Sequence, residues 1–292
     1  MLNKKFTSVL VLLLALTMTV TLVGCGGGEE SVEQENADNG ELNGTITVAG
    51  STSVQPLSEE LAAAFMEKHS GVTIHVQGGG SSAGVKAALE GAADIGAASR
   101  NLKESEQGKG LVEHKIAIDG IAVVSNAENT AVESMTIEEV RKVMSGEITN
   151  WSELGGDDAK INVVSREEGS GTRGAFTDMV MEYKVDGEKK EAELVADAAI
   201  QSSNGAVRTT VAGDKYAFGY LSLGYLDDSI NPIKIDGVEP TSENIVAGKY
   251  GVARPFLYLT NGEPEGVAKE YIDFIFTSEA QDIVANDYVR VD

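Results

Sequence analysis

The sequence predicts an α/β fold made of two lobes, and three observations support this. Short apolar segments alternate with amphipathic helical segments, the alternation resumes after a long apolar run at residues 116–124, and a second extended apolar run occupies residues 254–259. Strands that alternate with helices predict a parallel sheet whose loops gather at one edge. We interpret the extended runs as crossings between lobes, the first near Ser125 and the second near Arg254. The predicted lobes are residues 45–124 with 254–292, and residues 125–253.

The individual elements follow from their periodicity. Residues 45–49 alternate as a strand does, and the apolar side chains Val54, Leu57, Leu61 and Phe65 then recur at intervals of three and four, which predicts an amphipathic helix. The same patterns predict strands at residues 72–76, 94–97 and 161–165, and helices at residues 85–89 and 136–144, near Thr177, near Val207 and at residues 267–275.

The first 24 residues have the pattern of a signal peptide. Lys4 and Lys5 precede an apolar run at residues 9–16 that continues through Val20, which is the pattern of a signal peptide and not of a membrane span. The sequence Leu22-Val23-Gly24-Cys25 that ends this segment resembles the lipobox of bacterial lipoproteins. This resemblance implies a diacylglyceryl thioether on Cys25 and acyl chains such as palmitate. The alternative is an ordinary secretory signal with a chance cysteine.

Composition limits the remaining possibilities. Residues 25–44 are mostly glycine, acidic and amide residues, and we expect a disordered, lipidated tether that holds the protein on the extracytoplasmic face of the cell membrane. Cys25 is the only cysteine, so no intramolecular disulfide can form. A formal charge of −23 argues against nucleic acid as a partner. We find no Walker A sequence, zinc pattern or calcium loop, so we predict no cofactor and no metal.

Residues 166–173, Arg-Glu-Glu-Gly-Ser-Gly-Thr-Arg, have the chemistry of an anion site. They follow a predicted strand and precede a predicted helix, where uncovered N–H groups lie at the positive end of the helix dipole. The guanidinium of Arg166 would add charge-assisted hydrogen bonds. The alternative interpretation is a capped helix start beside a surface arginine.

Three further loops have similar residues in similar places. Residues 50–53 (Gly-Ser-Thr-Ser), residues 78–84 (Gly-Gly-Gly-Ser-Ser-Ala-Gly) and the pair Ser99-Arg100 each follow a predicted strand. Taken alone, these are an N-cap, a tight turn and a surface loop. An open α/β sheet collects such loops in one crevice, so together they predict a cleft lined with hydrogen-bond donors.

Residues 50–56, 78–84, 94–100 and 165–173, together with residues 148–151, resemble the phosphate-binding proteins of bacterial phosphate ABC transporters in order and spacing. The resemblance implies a two-lobed type 2 periplasmic-binding-protein fold with two inter-lobe crossover segments. It also implies a monomeric, non-enzymatic protein that closes on one phosphate and delivers it to a membrane permease. The implied phosphate contacts are Thr52, Ser53, Ser81, Ser99, Arg166, Ser170, Gly171 and Thr172.

Ser99 departs from the pattern of this family. The best-known members carry an aspartate there, which accepts the proton of hydrogen phosphate and thereby rejects sulfate. A serine hydroxyl can donate or accept and does not repel sulfate as a carboxylate does. Our hypothesis is that Glu167, Glu168 or Asp119 supplies or supports the missing acceptor. Arg100 and Arg173 are candidates for outer ligands or for structural ion pairs.

Two other readings stay open at this point. The same fold accommodates another oxyanion, such as sulfate or molybdate, or a signalling receptor. The second reading is a serine hydrolase, because residues 80–84 match a nucleophile elbow with Ser82 at its centre. His114 is the only histidine after Ser82, and no HGGG oxyanion-hole sequence is present. We therefore predict a binding protein and no enzyme.

Overall fold

The structure is a computed structural model that describes residues 41–292. The predicted signal peptide and Cys25 lie outside the described residues. Strands in the described range are β1 (Asn43–Gly50), β2 (Gly71–Gly78), β3 (Ile95–Ala98), β4 (Leu111–Asn126), β5 (Ser134–Met135), β6 (Asn162–Arg166), β7 (Glu182–Val185), β8 (Glu188–Glu191), β9 (Ala199–Gln201), β10 (Ala217–Ser222), β11 (Ile230–Ile235) and β12 (Ala253–Asn261). Helices are α1 (Gln55–Lys68), α2 (Ser81–Glu90), α3 (Ile137–Ser145), α4 (Gly171–Phe176), α5 (Asn204–Gly213), α6 (Ser242–Val246), α7 (Gly266–Ile275) and α8 (Ser278–Val284).

The predicted α/β class is confirmed, and each predicted strand and helix has a counterpart within a few residues. The start of α3 shows how local sequence sets these boundaries. The hydroxyl of Thr136 accepts from the N–H of Glu139, and the Glu139 carboxylate accepts from the N–H of Thr136. This capping box satisfies two groups that a helix start otherwise leaves unpaired.

The main sheet is mixed, so the prediction of a parallel sheet is only partly right. Strand β1 pairs in parallel with β2 and β3, whereas β12 pairs antiparallel with β3 and β4. The physical reason is that the second extended apolar run returns beside the first and in the opposite direction. Asp119 and Arg254 lie opposite each other in this antiparallel pair.

Strand β4 belongs to both halves of the sheet. Its residues 111–120 pair with β12, whereas residues 121–126 pair with β10 and β11. The strand order is β2-β1-β3-β12-β4 in the first half and β5-β11-β4-β10-β6-β9 in the second. The lobe boundaries proposed from the sequence stay a prediction.

Each half of the sheet has its own core. The first core contains Phe65 and Tyr271, whose ring centroids are 5.3 Å apart, and packs α1, α7 and α8 on β1, β2 and β12. The second core contains Trp151 and a stacked pair, Phe176 and Tyr220, whose centroids are 3.9 Å apart. On the opposite faces, α2 and α5 cover the first and second halves. Among residues 41–292, no helix has the length and apolar character needed to cross a membrane.

The parallel part of the first half places three loops at one edge. Gly50, at the end of β1, lies opposite Gly78 of β2 and Ala97 of β3. The loops that follow these strands therefore emerge side by side, as the sequence predicted.

Helix α2 packs unusually close to the sheet at this edge, at Gly84. A Cβ atom on Gly84 would lie 2.5 Å from the Ala97 carbonyl oxygen and 2.8 Å from the Gly50 Cα. Both contacts are with backbone atoms that cannot move aside cheaply. Gly84 therefore sets the distance between α2 and the strands whose ends carry the polar loops.

We expect Gly84→Ala to lower the free energy of unfolding by about 1–3 kcal/mol, because the new methyl group overpacks this contact. Gly213→Ala is the matched control, since Gly213 is also helical and a Cβ there meets nothing within 4 Å. The control should change stability by less than about 1 kcal/mol. Urea unfolding followed by circular dichroism measures both, and equal effects would contradict the close-packing interpretation.

Candidate functional site

The four polar loops predicted from the sequence meet at one place between the two cores. Thr52 and Ser53 follow β1, Ser81 opens α2, and Ser99 follows β3. Arg166 ends β6, and α4 begins just after it. All the predicted contact residues are buried, and the most exposed of them, Thr52, retains only 9% of its accessible surface. The structure thus brings together all eight residues predicted from the sequence.

Arg166 links the two sides of this site. Its Nη2 donates to the Thr52 hydroxyl at 3.2 Å, and its Nη1 donates to the Thr172 hydroxyl at 3.4 Å. Its Nε and Nη2 pair with the two oxygens of Glu167, each at 3.0 Å, and its Nε also donates to the Gln201 carbonyl. The guanidinium is 1% exposed. Hydroxyls of both halves therefore converge on one buried cation.

Ser51, Ser81 and Ser99 form a connected cluster of hydroxyls. Ser51 accepts from the N–H of Ser53 and donates to the Ser99 hydroxyl at 2.8 Å. The Ser81 hydroxyl lies 3.3 Å from that of Ser99 and accepts the Ser99 N–H at 3.0 Å. Because Ser99 accepts from Ser51, its own proton remains available to donate. The Ser99 hydroxyl can therefore donate its proton, and its second lone pair can still accept.

Helix α4 approaches these hydroxyls through Gly171. A Cβ on Gly171 would lie 2.1 Å from the Ser81 oxygen and 2.5 Å from the Ser99 oxygen. Only glycine fits so close to both. Ser170 is the N-cap residue of α4, and its hydroxyl accepts from the Arg173 N–H at 3.2 Å. The Ser170 side chain thus fixes the start of the helix next to Gly171.

Sequence reasoning missed two residues that contact Ser53. Asn204 Nδ2 donates to the Ser53 hydroxyl at 2.8 Å, and Arg254 Nη2 donates to it at 3.0 Å. Asn204 lies in Ser-Ser-Asn-Gly, where the polar residues after β9 lead into the first turn of α5, the same strand–polar loop–helix pattern that identified the other loops. That pattern could have found Asn204. For Arg254 the only signal was an isolated charge at the start of an apolar run.

Asp119 and Arg254 form a buried ion pair beside Ser53. Arg254 Nε and Nη2 bind Asp119 Oδ2 at 3.1 and 2.8 Å. The other carboxylate oxygen accepts from the Ser222 hydroxyl at 2.9 Å and the Leu223 N–H at 3.2 Å. Burial raises the pKa of Asp119, and Arg254 opposes this rise. Since both oxygens of Asp119 are engaged, its role here is to hold Arg254 and β10.

The other charged residues singled out in the sequence lie around the site. Glu167 pairs with Arg166, whereas Glu168 is exposed. Arg100 forms a bidentate pair with Glu106 at 2.7 and 2.9 Å, and Arg173 donates to the Arg166 carbonyl at 3.0 Å. These contacts give Arg100 a structural ion pair and Arg173 a structural hydrogen bond to the backbone.

Ser82 and His114 are not paired with each other in the described structure. The Ser82 hydroxyl accepts from Arg100 Nη2 at 3.2 Å, and the His114 ring contacts the Thr260 hydroxyl at 3.0 Å on β12. The Ser82 hydroxyl and the His114 ring thus have other partners, whereas a nucleophile and its general base would be hydrogen-bonded to each other. Within residues 41–292, no cluster of three or more His, Cys, Asp or Glu side chains has an arrangement that could hold a metal ion.

Comparisons with known proteins identify the family of the chain. The model of a PBP superfamily domain matches residues 32–279. The phosphate-binding protein PstS of Bacillus subtilis is 34% identical over 289 residues, which cover 97% of this chain and 93% of the relative.

Solved structures of phosphate-transport binding proteins have the same fold. A phosphate ABC transporter substrate-binding protein from Clostridium perfringens, crystallised with bound phosphate, is 43% identical, with a TM-score of 0.79 over 85% of this chain and 100% of that one. An ABC-type phosphate transport receptor from Vibrio cholerae is 35% identical, with a TM-score of 0.69 over 85% of this chain and 100% of that one. The predicted two-lobed type 2 periplasmic-binding-protein fold is confirmed.

We expect Asp119→Ala to lower the free energy of unfolding by about 3–5 kcal/mol, because it leaves the buried Arg254 guanidinium without its counter-charge. Asp157→Ala is the control, since Asp157 pairs with Lys215 on the surface, where the two side chains are 55% and 43% exposed. The loss there should be about 0–1 kcal/mol. Chemical denaturation of both variants tests this, and a small loss for Asp119→Ala would argue against the importance of the buried pair.

Proposed function

Since the chain belongs to the PBP superfamily, and within it to the phosphate-binding proteins of bacterial phosphate transport, we propose that it captures inorganic phosphate outside the cytoplasm and delivers it to the permease of an ABC transporter. The observation that carries this proposal is the buried guanidinium of Arg166, which reaches hydroxyls on both sides of the site. A dehydrated tetrahedral oxyanion needs such a convergence of cation and donors. The protein acts as a carrier without catalytic turnover.

The proposed ligand set is the one implied by the sequence. Arg166 supplies the positive charge, the hydroxyls supply donors around the oxyanion, and Gly171 lets the start of α4 come close to it. Charge-assisted hydrogen bonds contribute about 1.5–3 kcal/mol each, whereas micromolar binding needs about 8 kcal/mol net. The proposed contacts are Thr52, Ser53, Ser81, Ser99, Arg166, Ser170, Gly171 and Thr172.

Capture requires that donors from both halves reach the anion together. Thr52 and Ser53 belong to the half with the first core, whereas Arg166 and Thr172 belong to the half with the second core. An anion that contacts both sets binds the closed arrangement better than an open one and therefore stabilises closure. The permease would then recognise the closed form.

The anchoring of the protein is part of the proposal. The lipobox-like residues 22–25 support lipidation of Cys25 and removal of the signal peptide before it, and residues 25–44 would serve as the tether. The protein would thus be a monomeric lipoprotein on the extracytoplasmic face of the cell membrane. The net charge of −23 becomes −25 when Lys4 and Lys5 leave with the signal peptide; this charge keeps the protein soluble and leaves anion binding to local donors.

The first prediction here concerns Arg166. In isothermal titration of the ligand-stripped full chain in detergent, we expect 1:1 phosphate binding that Arg166→Ala weakens at least about 100-fold, because two charge-assisted contacts are lost. Arg208→Ala is the control, since Arg208 forms a half-exposed pair with Asp227. Equal affinity of the Arg166→Ala variant and the control would remove Arg166 from the site. Binding of sulfate or molybdate in place of phosphate would keep the fold and change the ligand.

Sulfate competition in the same titration tests the source of selectivity. Ser99 carries no carboxylate, and our hypothesis is that a nearby carboxylate supplies or supports the acceptor for the proton of hydrogen phosphate. We expect Glu167→Ala or Glu168→Ala to reduce the preference for phosphate over sulfate. An unchanged preference in both variants, and in Asp119→Ala where it folds, would sink the hypothesis that a carboxylate supplies or supports this acceptor.

A separate prediction concerns the anchor. Cys25→Ala should move the protein from the membrane fraction to the soluble extracytoplasmic fraction, because the thioether cannot form. Fractionation with a phosphate-binding assay on each fraction measures this, and Ser31→Ala, in the tether, is a control that should stay with the membrane. Membrane retention of Cys25→Ala, with a mass that shows that its signal peptide has been removed, would contradict lipidation.

A further inference from the structure

Ser53 and four other buried polar residues form a closed ring of hydrogen bonds. Arg254 Nη2 and Asn204 Nδ2 both donate to the Ser53 hydroxyl. Asn204 Oδ1 accepts from the Ser222 N–H at 3.2 Å, the Ser222 hydroxyl donates to Asp119, and Asp119 binds Arg254. The ring is Ser53, Asn204, Ser222, Asp119 and Arg254, and its most exposed member, Arg254, is only 3% exposed.

The ring draws on five separate elements of the fold. Ser53 follows β1, Asn204 opens α5, Ser222 ends β10, and Asp119 and Arg254 face each other on β4 and β12. Strands β4 and β12 are the extended segments interpreted as crossings between lobes. The ring therefore connects the proposed crossing strands directly to a predicted phosphate contact.

The donor and acceptor count fixes the direction of the Ser53 hydroxyl. A serine oxygen has two lone pairs and one proton, and neither the guanidinium of Arg254 nor the amide NH₂ of Asn204 can accept a hydrogen bond. Their two N–H groups therefore use both lone pairs of Ser53. Its proton is left to donate either to an anion or to the Thr172 hydroxyl at 2.8 Å.

Donation from Ser53 to Thr172 also leaves one hydroxyl proton available for an anion. If Ser53 donates to Thr172, which also accepts from Arg166 at 3.4 Å, then the proton of Thr172 turns outward as a donor. In either case the ring delivers a hydroxyl donor to the anion. A hydroxyl without these neighbours would be free to rotate and to present a lone pair, which repels an anion.

We propose that Asn204 and Arg254 are positioning residues for phosphate binding that act through Ser53, by holding its hydroxyl as an obligate donor. This inference rests on the proposed function. It assigns a role to residues outside the predicted contact set and makes the affinity for a tetrahedral anion depend on a polar ring that stabilises the junction of five elements.

A double-mutant cycle tests the proposal with inorganic phosphate as the probe and the full chain in detergent. We expect Asn204→Ala to weaken phosphate binding about tenfold, which corresponds to one hydrogen bond. In a Ser53→Ala background the same change should cost less than about threefold, because the contact to Ser53 is gone and only the longer contact from Asn204 Nδ2 to the Thr52 hydroxyl, at 3.4 Å, remains as a route to the anion. Equal losses in the two backgrounds would overturn the proposal.

Asn126→Ala is the matched control. Asn126 is also a buried asparagine next to α5, and its Nδ2 donates to the carbonyls of Val211 and Ala212, each at 2.9 Å, without touching Ser53. It should lower the melting temperature while leaving phosphate affinity within about twofold of the wild type. A loss of affinity as large as that of Asn204→Ala would show that general loosening explains both.

A second substitution, Asn204→Asp, tests the same proposal if the Asn204→Ala variant does not fold. It has nearly the same shape and retains the acceptor for Ser222, but it replaces the donor that faces Ser53 with an acceptor. We expect weaker phosphate binding than in Asn204→Ala where both can be measured, and at least tenfold weaker than in the wild type. Wild-type affinity in this variant would overturn the proposal. Absence of phosphate binding by the wild type would instead refute the proposed function itself.

Discussion

The constraint on which the site depends is the burial of the Arg166 guanidinium. A cation that is 1% exposed has lost nearly all its hydration and must be compensated by the protein or by a ligand. Glu167 provides one counter-charge from its half-exposed position, and the Gln201 carbonyl and two threonine hydroxyls provide the other contacts. These hydroxyls come from opposite sides of the site. The need to satisfy one cation thus ties the two halves of the molecule to the same point.

Neighbouring N–H donors set the direction in which the hydroxyls around this cation donate their protons. Ser51 receives N–H groups from Ser53 and Val54 and therefore passes its proton to Ser99. The Ser53 hydroxyl accepts N–H groups from Asn204 and Arg254, and its own proton is therefore left to donate to another acceptor. In both cases fixed N–H donors behind the hydroxyl turn it into a donor in front. An acidic protein can thus build an anion site from neutral groups and few uncompensated charges.

The sequence was sufficient to predict the four loops but not the residues behind them. The loops at residues 50–53 and 78–84 follow parallel strands, and the ends of parallel strands meet at one edge whatever their exact register. Arg254 and Asp119 meet only because β12 returns antiparallel to β4, and nothing in the local pattern of either strand states that pairing. Asp119 was therefore considered as a proton acceptor, whereas in the fold its two oxygens are occupied. Asn204 had a recognisable loop pattern, but its contact with Ser53 spans 151 positions of the chain.

The buried ion pair and the hydroxyl contacts at residues 52–53 differ in the free energy needed to break them. Separating Asp119 from Arg254 would leave two buried charges unpaired, which costs several kcal/mol. Asn204 and Arg166, by contrast, reach the loop at residues 52–53 through neutral hydroxyls, and water can replace such partners at little net cost. Breaking the contacts to the hydroxyls therefore costs less than breaking the β4–β12 ion pair. The ion pair thus holds β4 against β12 more firmly than the hydroxyl contacts hold the loop that carries Ser53.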